Sequence, residues 1–201
     1  MAAIGLMGGT FDPIHCGHLI LGEQAAEQLG LDTVLYVTTP NPPHKDGLAI
    51  TDARHRFEMT RLAVDGNERF VCSDIEMRRA GPCYTVDTVR EIRGLYGPEP
   101  RVYVLVGADE AAALTTWRDP RGLQELATVV VANRPGYEVE EVLARLPVDL
   151  AAGIMPLSIP GVDISATDLR NRVRGGRSIR YLVPEPVRRY IVDSGLYRGN
   201  E

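Results

Sequence analysis

Two histidines near the start of the chain, His15 and His18, follow a pair of glycines in a stretch whose residue types suit phosphate chemistry. The stretch reads Gly8-Gly9-Thr10-Phe11-Asp12-Pro13-Ile14-His15-Cys16-Gly17-His18. Paired glycines let a phosphate group approach the backbone closely. An imidazole donates a hydrogen bond to a phosphate oxygen or carries a positive charge beside it. These residue types predict an anion-binding site whose oxyanion both histidines can reach.

This stretch lies between a predicted strand and a predicted helix. The apolar run at residues 3–7 ends at the glycines, as a buried strand does before a turn. Residues 19–29 carry apolar side chains at helical spacing. The first amides of a helix lack internal partners and carry partial positive charge, so an anion can dock there. A single histidine at such a place is usually structural, but the glycines and the second histidine favour a functional interpretation.

A second group of this kind, Ser165, Thr167 and Arg170, lies at the start of a predicted helix in the last third of the chain. Backbone amides, two hydroxyls and a guanidinium together predict another anion site. The alternative is a capped surface helix with a basic face, because Ser165 and Asp168 fit a capping box. We favour that alternative for the basic residues that follow, Arg172, Arg174, Arg177 and Arg180.

The composition limits the function classes. The chain has 201 residues and a net charge of −5, which suits one domain over residues 1–201 and argues against nucleic acid or acidic membranes as partners. Its three cysteines are widely spaced and lack zinc-type spacing. No stretch resembles a membrane span or a signal peptide. We expect a cytoplasmic protein, and the sequence is compatible with a homo-oligomer.

Apolar runs alternate with amphipathic segments along most of the chain. The runs predicted as strands are residues 3–7, 33–39, 70–72, 102–106, 128–132 and 154–159. Helices are predicted between most of them and after the last one. This alternation predicts an α/β fold, a Rossmann-like parallel sheet with helices on both faces and a helical C-terminal part. In such sheets ligands bind at the carboxyl ends of the strands, where the strand order reverses.

Both anion-binding stretches carry a family resemblance. The stretch from Gly8 to His18 resembles the signature of the nucleotidylyltransferase superfamily with the His-x-Gly-His motif. Residues 164–170, Ile-Ser-Ala-Thr-Asp-Leu-Arg, resemble its second motif, Ile-Ser-x-Thr-x-x-Arg. The resemblance implies the nucleotidylyltransferase fold and transfer of a nucleoside monophosphate from a triphosphate to a phosphate-bearing acceptor. It also implies that Arg170 binds the β- and γ-phosphates.

Three further segments are similar to the bacterial nicotinate mononucleotide adenylyltransferases. They are Asn41-Pro42-Pro43-His44-Lys45, Tyr84-Thr85-Val86-Asp87-Thr88, and Gly107-Ala108-Asp109 with Trp117. With the terminal Tyr190-Ile191 and Gly195-Leu196-Tyr197, the resemblance covers nearly the whole chain. It implies that ATP and nicotinate mononucleotide form deamido-NAD⁺ and pyrophosphate in NAD biosynthesis.

The resemblance also implies the site residues. The catalytic residues implied are His15, His18, Lys45 and Arg170. The ATP-binding residues implied are Gly8, Gly9, Thr10, Phe11, His18, Gly107, Asp109, Ile164, Ser165, Thr167 and Arg170. The residues implied for the acceptor are Asn41, His44, Lys45, Tyr84, Thr85, Trp117 and Arg134. From the residues alone, Lys45 also fits an exposed loop, Asp109 a helix cap and Trp117 the core. The chain departs from the family pattern at Cys83, where serine or threonine is expected, and at Ala166, where serine is frequent.

The implied reaction needs little covalent chemistry from the protein. A mononucleotide phosphate is ionised near neutral pH, so it attacks the α-phosphorus of ATP without a strong general base. Catalysis is then mainly positioning and charge stabilisation, with Mg²⁺ held by the substrate phosphates and no covalent enzyme intermediate. Two alternatives stay open, a phosphopantetheine adenylyltransferase and a non-catalytic nucleotide-binding module.

Overall fold

A computed structural model describes residues 1–42, 50–97, 99–133, 136 and 139–199. Its strands are β1 (Ala3–Gly9), β2 (Thr33–Thr38), β3 (Phe70–Ser73), β4 (Arg101–Gly107), β5 (Thr128–Ala132) and β6 (Ile154–Leu157). Its helices are α1 (Cys16–Leu29), α2 (Ala53–Val64), α3 (Thr85–Leu95), α4 (Ala108–Ala111), α5 (Pro120–Leu126), α6 (Val139–Arg145), α7 (Val148–Ala152), α8 (Ala166–Arg174) and α9 (Glu185–Asp193), with a 3₁₀ turn at Leu114–Thr116. No helix in these ranges is long and apolar enough to cross a bilayer.

The six strands form one parallel sheet in the order β3-β2-β1-β4-β5-β6. The order reverses between β1 and β4, which pair from Ala3 with Arg101 to Leu6 with Val104. A crevice opens at the carboxyl ends of two such strands, because their connections leave in opposite directions. The predicted α/β fold is therefore confirmed, and the motif stretch leaves β1 at this reversal point.

The core consists of two layers, one on each face of the sheet. Along β1, Ile4 and Leu6 belong to the layer with α3, α5 and α6, whereas Ala3 and Met7 belong to the layer with α1, α2 and α9. Successive residues of a strand point to opposite faces, so a strand buried on both sides needs a continuous apolar run. This is why the strands are recognisable as uninterrupted apolar segments in the sequence.

Some boundaries differ from the predictions. Helix α1 begins at Cys16, three residues before the predicted start, which places His18 in the first turn. Strand β6 ends at Leu157, short of the predicted residue 159. The backbone of Ile159 forms two hydrogen bonds with the side chain of Asn133. Its N–H donates to Oδ1 at 2.7 Å, and its carbonyl oxygen accepts from Nδ2 at 3.2 Å. Its hydrogen bonds are therefore satisfied by an asparagine instead of by a neighbouring strand. Helices α6 and α7 were not predicted.

Candidate active site

The loop between β1 and α1 is shaped by a close approach of two of its residues. A Cβ atom at Gly9 would lie 2.8 Å from the ring of Phe11, so only glycine leaves room for that ring. Phe11 is 3% exposed and has a φ of 47°, a conformation that is uncommon for a bulky residue and is found at functional sites. Its ring meets the ring of His18 nearly at right angles, with centroids 5.1 Å apart. The loop therefore packs against one side of His18.

The two histidines orient one another at the start of α1. His15 is the N-cap residue, and its backbone N–H donates to Nδ1 of His18 at 3.1 Å. The two rings are stacked with centroids 3.7 Å apart. Since Nδ1 accepts this bond, the proton of a neutral His18 ring is on Nε2. The first turn of α1 thus presents Nε2–H of His18 as a hydrogen-bond donor.

The second motif begins α8 and reaches across to the first. Ser165 Oγ accepts from the backbone N–H of Asp168 at 3.2 Å, as the predicted cap requires. The carboxylate of Asp168 pairs with Arg172 at 2.5 Å. The guanidinium of Arg170 donates to the backbone oxygen of Asp12 at 2.7 Å and to Thr167 Oγ1 at 3.2 Å. Arg170 therefore joins the two motifs, which are far apart in the sequence.

Two adjoining cavities lie at the carboxyl ends of β1 and β4. The first, here called the His18 cavity, has a volume of about 330 Å³; its lining includes Gly8, Gly9, Thr10, Phe11, Asp12, His18, Gly107, Asp109 and Ala166. The second, the Trp117 cavity, has a volume of about 270 Å³; its lining includes Gly8, Gly9, Thr10, Thr39, Glu76, Cys83, Tyr84, Thr85, Glu110, Trp117 and Arg118. Residues predicted for ATP thus line one cavity and residues predicted for the acceptor line the other. Five residues line both cavities: Gly8, Gly9, Thr10, Val106 and Glu110.

The Trp117 cavity combines aromatic walls with the start of a helix. Tyr84 is the N-cap residue of α3 and Thr85 its first residue. The guanidinium of Arg118 lies 5.1 Å from the centroid of the Tyr84 ring, a cation–π distance. Among the described residues, no carboxylate lies within 4 Å of that guanidinium. Burial raises the pKa of the Cys83 thiol, so Cys83 contributes a neutral, weak hydrogen-bond donor here.

Several predicted site residues line neither cavity. Asn41 is exposed and lies outside both linings. Ile164, Ser165, Thr167 and Arg170 are also absent from the linings, although Ala166 within the same motif lines the His18 cavity. His15 also lines neither cavity, and its ring stacks on that of His18. His44, Lys45 and Arg134 lie outside the residues that the structure describes.

Asp12 is a contact point that the sequence prediction missed. It is 5% exposed, and its Oδ1 accepts from the hydroxyl of Tyr197 at 2.7 Å. Its Oδ2 accepts from the backbone N–H of Thr51 at 3.3 Å, and its backbone oxygen accepts from Arg170. The only sequence signal was that Asp12 and Tyr197 both fell within segments of the family resemblance. Residues from three distant parts of the chain therefore hold the first motif.

We expect Tyr197→Phe to lower the free energy of unfolding by about 1–3 kcal/mol near pH 8, because Asp12 loses a buried hydrogen-bond donor. Burial, and then the charge of Asp12, raises the pKa of Tyr197 in the folded protein. The unfolded chain therefore releases this proton first, near pH 10. The stability that the Tyr197 hydroxyl contributes to the folded protein is complete below pH 10. It is lost as the pH rises from there through the folded-state pKa of Tyr197. Urea unfolding of wild type and of Tyr197→Phe at pH 8 and pH 10.5 measures the difference between their free energies of unfolding. This difference should be smaller at pH 10.5, and an equal difference at both pH values would contradict the prediction.

Comparisons with known proteins agree with this architecture. The family model described as cytidylyltransferase-like matches residues 6–172. A probable nicotinate-nucleotide adenylyltransferase from Thermus thermophilus is 48% identical over 195 residues, which cover 97% of this chain and 99% of the relative. One of the same name from Desulfitobacterium hafniense is 42% identical over 198 residues, covering 97% and 95%.

A solved structure shares the fold over the full length. The Plasmodium falciparum nicotinic acid mononucleotide adenylyltransferase complexed with NaAD superposes with a TM-score of 0.80 at 18% identity, covering 98% of each chain. The strand order and the two cavities at its reversal point define an α/β nucleotide-binding protein. By its sequence, the chain belongs to the cytidylyltransferase-like family.

Proposed function

We propose that this chain is a nicotinate-nucleotide adenylyltransferase, which moves the adenylyl group of ATP to nicotinate mononucleotide and releases pyrophosphate. Full-length relatives at 42% and 48% identity carry that name, which confirms the activity predicted from the sequence. The observation that carries the proposal is the pair of cavities that meet at Gly8, Gly9 and Thr10. Two substrates bound in them would bring their reacting phosphates together at the glycines.

ATP fits the His18 cavity. Nε2–H of His18 would donate to an α-phosphate oxygen, where negative charge develops during transfer. Arg170 would bind the β- and γ-phosphates with its guanidinium, aided by the first-turn amides of α8. Asp109 would accept hydrogen bonds from the adenosine ribose. A Cβ atom at Gly107 would lie 2.7 Å from Oδ1 of Asp109, so a glycine there allows the carboxylate to turn back toward β4.

Nicotinate mononucleotide fits the Trp117 cavity. Its pyridine ring would stack on Trp117. Its carboxylate would meet the first amides of α3 at Tyr84 and Thr85, which favour an anion. Arg118, whose guanidinium lies over the Tyr84 ring, adds positive charge at this cavity, which favours the acid over the uncharged amide. We further propose that Asn41, His44, Lys45 and Arg134 contact this substrate or its phosphate.

The transfer itself is a single in-line displacement. A phosphate oxygen of nicotinate mononucleotide attacks the α-phosphorus of ATP, the bond to the bridging oxygen breaks, and pyrophosphate leaves with both electrons. No enzyme nucleophile takes part. The family uses a divalent metal with ATP, and we propose Mg²⁺ held by the substrate phosphates. Within the described residues no three His, Cys, Asp or Glu side chains converge as a metal site, and the Mg²⁺ of this proposal would take its ligands from the substrate phosphates.

The wider setting follows from the same reaction. We propose a cytoplasmic enzyme in which residues 1–201 act as one domain, and its partners are ATP and nicotinate mononucleotide rather than nucleic acid or membranes. A homo-oligomer is compatible with this proposal.

The two alternative functions explain less of the structure. A phosphopantetheine adenylyltransferase would leave the Trp117 cavity unexplained. A non-catalytic module would not need both histidines and Arg170 together.

The deciding experiment offers ATP and Mg²⁺ with nicotinate mononucleotide, nicotinamide mononucleotide or phosphopantetheine, and measures pyrophosphate release. We expect the highest kcat/KM with nicotinate mononucleotide. The fluorescence of Trp117, the one tryptophan in the sequence, should also change when that nucleotide is added without ATP. Turnover with phosphopantetheine alone would refute the assignment, and unchanged fluorescence would remove the acceptor from the Trp117 cavity.

A further inference from the structure

A buried arginine outside both cavities holds the backbone segments that form them. Arg56 on α2 is 1% exposed. Its Nε donates to the backbone oxygen of Thr51 at 2.8 Å, and one terminal nitrogen donates to Thr10 at 2.6 Å and Thr39 at 2.8 Å. The other terminal nitrogen donates to Pro40 at 2.9 Å. One guanidinium thus satisfies four backbone carbonyls.

These carbonyls belong to separate parts of the site. Thr10 is in the motif loop after β1 and lines both cavities. Thr39 follows β2 and lines the Trp117 cavity. Thr51 precedes α2, and its N–H is held by Asp12. Arg56 itself lines neither cavity, so we expect it to act on substrates through the backbone that it holds.

Burying the charged guanidinium of Arg56 costs free energy, so it requires specific compensating partners. Burial lowers the pKa of the Arg56 guanidinium, and the negative charge of Asp12 opposes that effect. A buried charge is retained only where hydrogen bonds and an opposite charge compensate for lost hydration. A planar fork with several donors can hold carbonyls that lie in different directions, which a single ammonium group cannot do.

We propose that Arg56 is a positioning residue that sets the distance between the motif loop and the segment after β2, and hence the alignment of acceptor and ATP. The inference rests on the proposed function. Misalignment of reacting groups by about 1 Å can lower a rate by about 100-fold. Loss of the fork should therefore affect kcat more than the binding of either substrate.

The test compares Arg56→Met and Arg56→Lys with wild type, using kcat, the KM of both substrates, the melting temperature, and acceptor binding measured by Trp117 fluorescence. We expect Arg56→Met to lower kcat at least tenfold, with a smaller loss of acceptor affinity. Arg56→Lys keeps the charge but not the fork, so its kcat should lie between those of wild type and Arg56→Met.

Arg93→Met is the matched control. Arg93 also donates to two backbone carbonyls, those of Pro100 at 3.3 Å and Leu126 at 3.0 Å. These precede β4 and β5, at the end of the sheet opposite the site. The Arg93→Met protein should have a lower melting temperature than wild type and the same kcat. Wild-type activity with nicotinate mononucleotide tests the proposed function separately.

The proposal fails if Arg56→Met lowers only the melting temperature, as Arg93→Met does, with kcat and both KM values unchanged. If Arg56→Met does not fold, Arg56→Lys decides the question. A folded Arg56→Lys protein with wild-type kcat would overturn the role of the guanidinium fork.

Discussion

Replacement of His18 by alanine is expected to lower kcat by about 100-fold or more, the loss typical of one donor aimed at developing charge. The expectation follows from how His18 is held. Nδ1 accepts from the backbone of His15, and the ring packs between those of His15 and Phe11. The ring is therefore held in place by these contacts, and in the proposed function its Nε2–H donates to an α-phosphate oxygen. The measurement is steady-state pyrophosphate release with both substrates saturating.

His55→Ala is the matched control for that experiment. His55 lies on α2, and its Nδ1 is 2.8 Å from the hydroxyl of Tyr190 on α9. Loss of the His55 side chain should lower the free energy of unfolding, because this contact is removed, and leave kcat within about twofold of wild type. A His18→Ala enzyme that retains wild-type kcat would show that the transition state does not use this imidazole.

Replacement of Arg170 by methionine is expected to lower kcat/KM for ATP by roughly 10- to 150-fold, which corresponds to one charged hydrogen-bonding group worth about 1.5–3 kcal/mol. Arg170 contacts Asp12 and Thr167, so its guanidinium is held between the two motifs that we propose bind the ATP phosphates. The loss should therefore appear in the KM for ATP as well as in kcat. Acceptor binding, followed by Trp117 fluorescence, should change little.

Arg172→Met tests whether that effect belongs to the position rather than to charge on α8. Arg172 is two residues further along the helix and pairs with Asp168. It carries the same charge without reaching the first motif, so its replacement should change kcat/KM for ATP by less than about threefold. Equal losses in both variants would indicate a general electrostatic effect of α8.

The four inner strands, β1, β2, β4 and β5, were predictable because they are largely buried on both faces and form continuous apolar runs. Helices α6 and α7 are seven and five residues long, too short for helical periodicity to be recognised. Leu95 continues the helical spacing of the buried Val86, Val89 and Ile92 on α3, but it is 69% exposed at the end of that helix. Periodicity indicates which residues share a helix face, but not where the neighbouring layer ends.

The residues proposed to contact substrate were identified by resemblance, whereas a residue such as Arg56, which holds the backbone around them, was not. Arg56 lies on the buried face of α2 with Met59 and Thr60, at the spacing of three and four residues that marks one side of a helix. A charged residue at such a position could have been recognised as buried. Its four carbonyl partners could not, because backbone oxygens leave no trace in residue identities.

The contacts of Asp12 also have a consequence for the order of events during synthesis. Arg170 and Tyr197 follow Asp12 by 158 and 185 residues. Translation must therefore have passed Tyr197 before Asp12 can have all of its partners. The contacts of the first motif with Thr51 and Arg56 can form much earlier, so the motif is held in two stages, by nearby residues first and by α8 and Tyr197 afterwards.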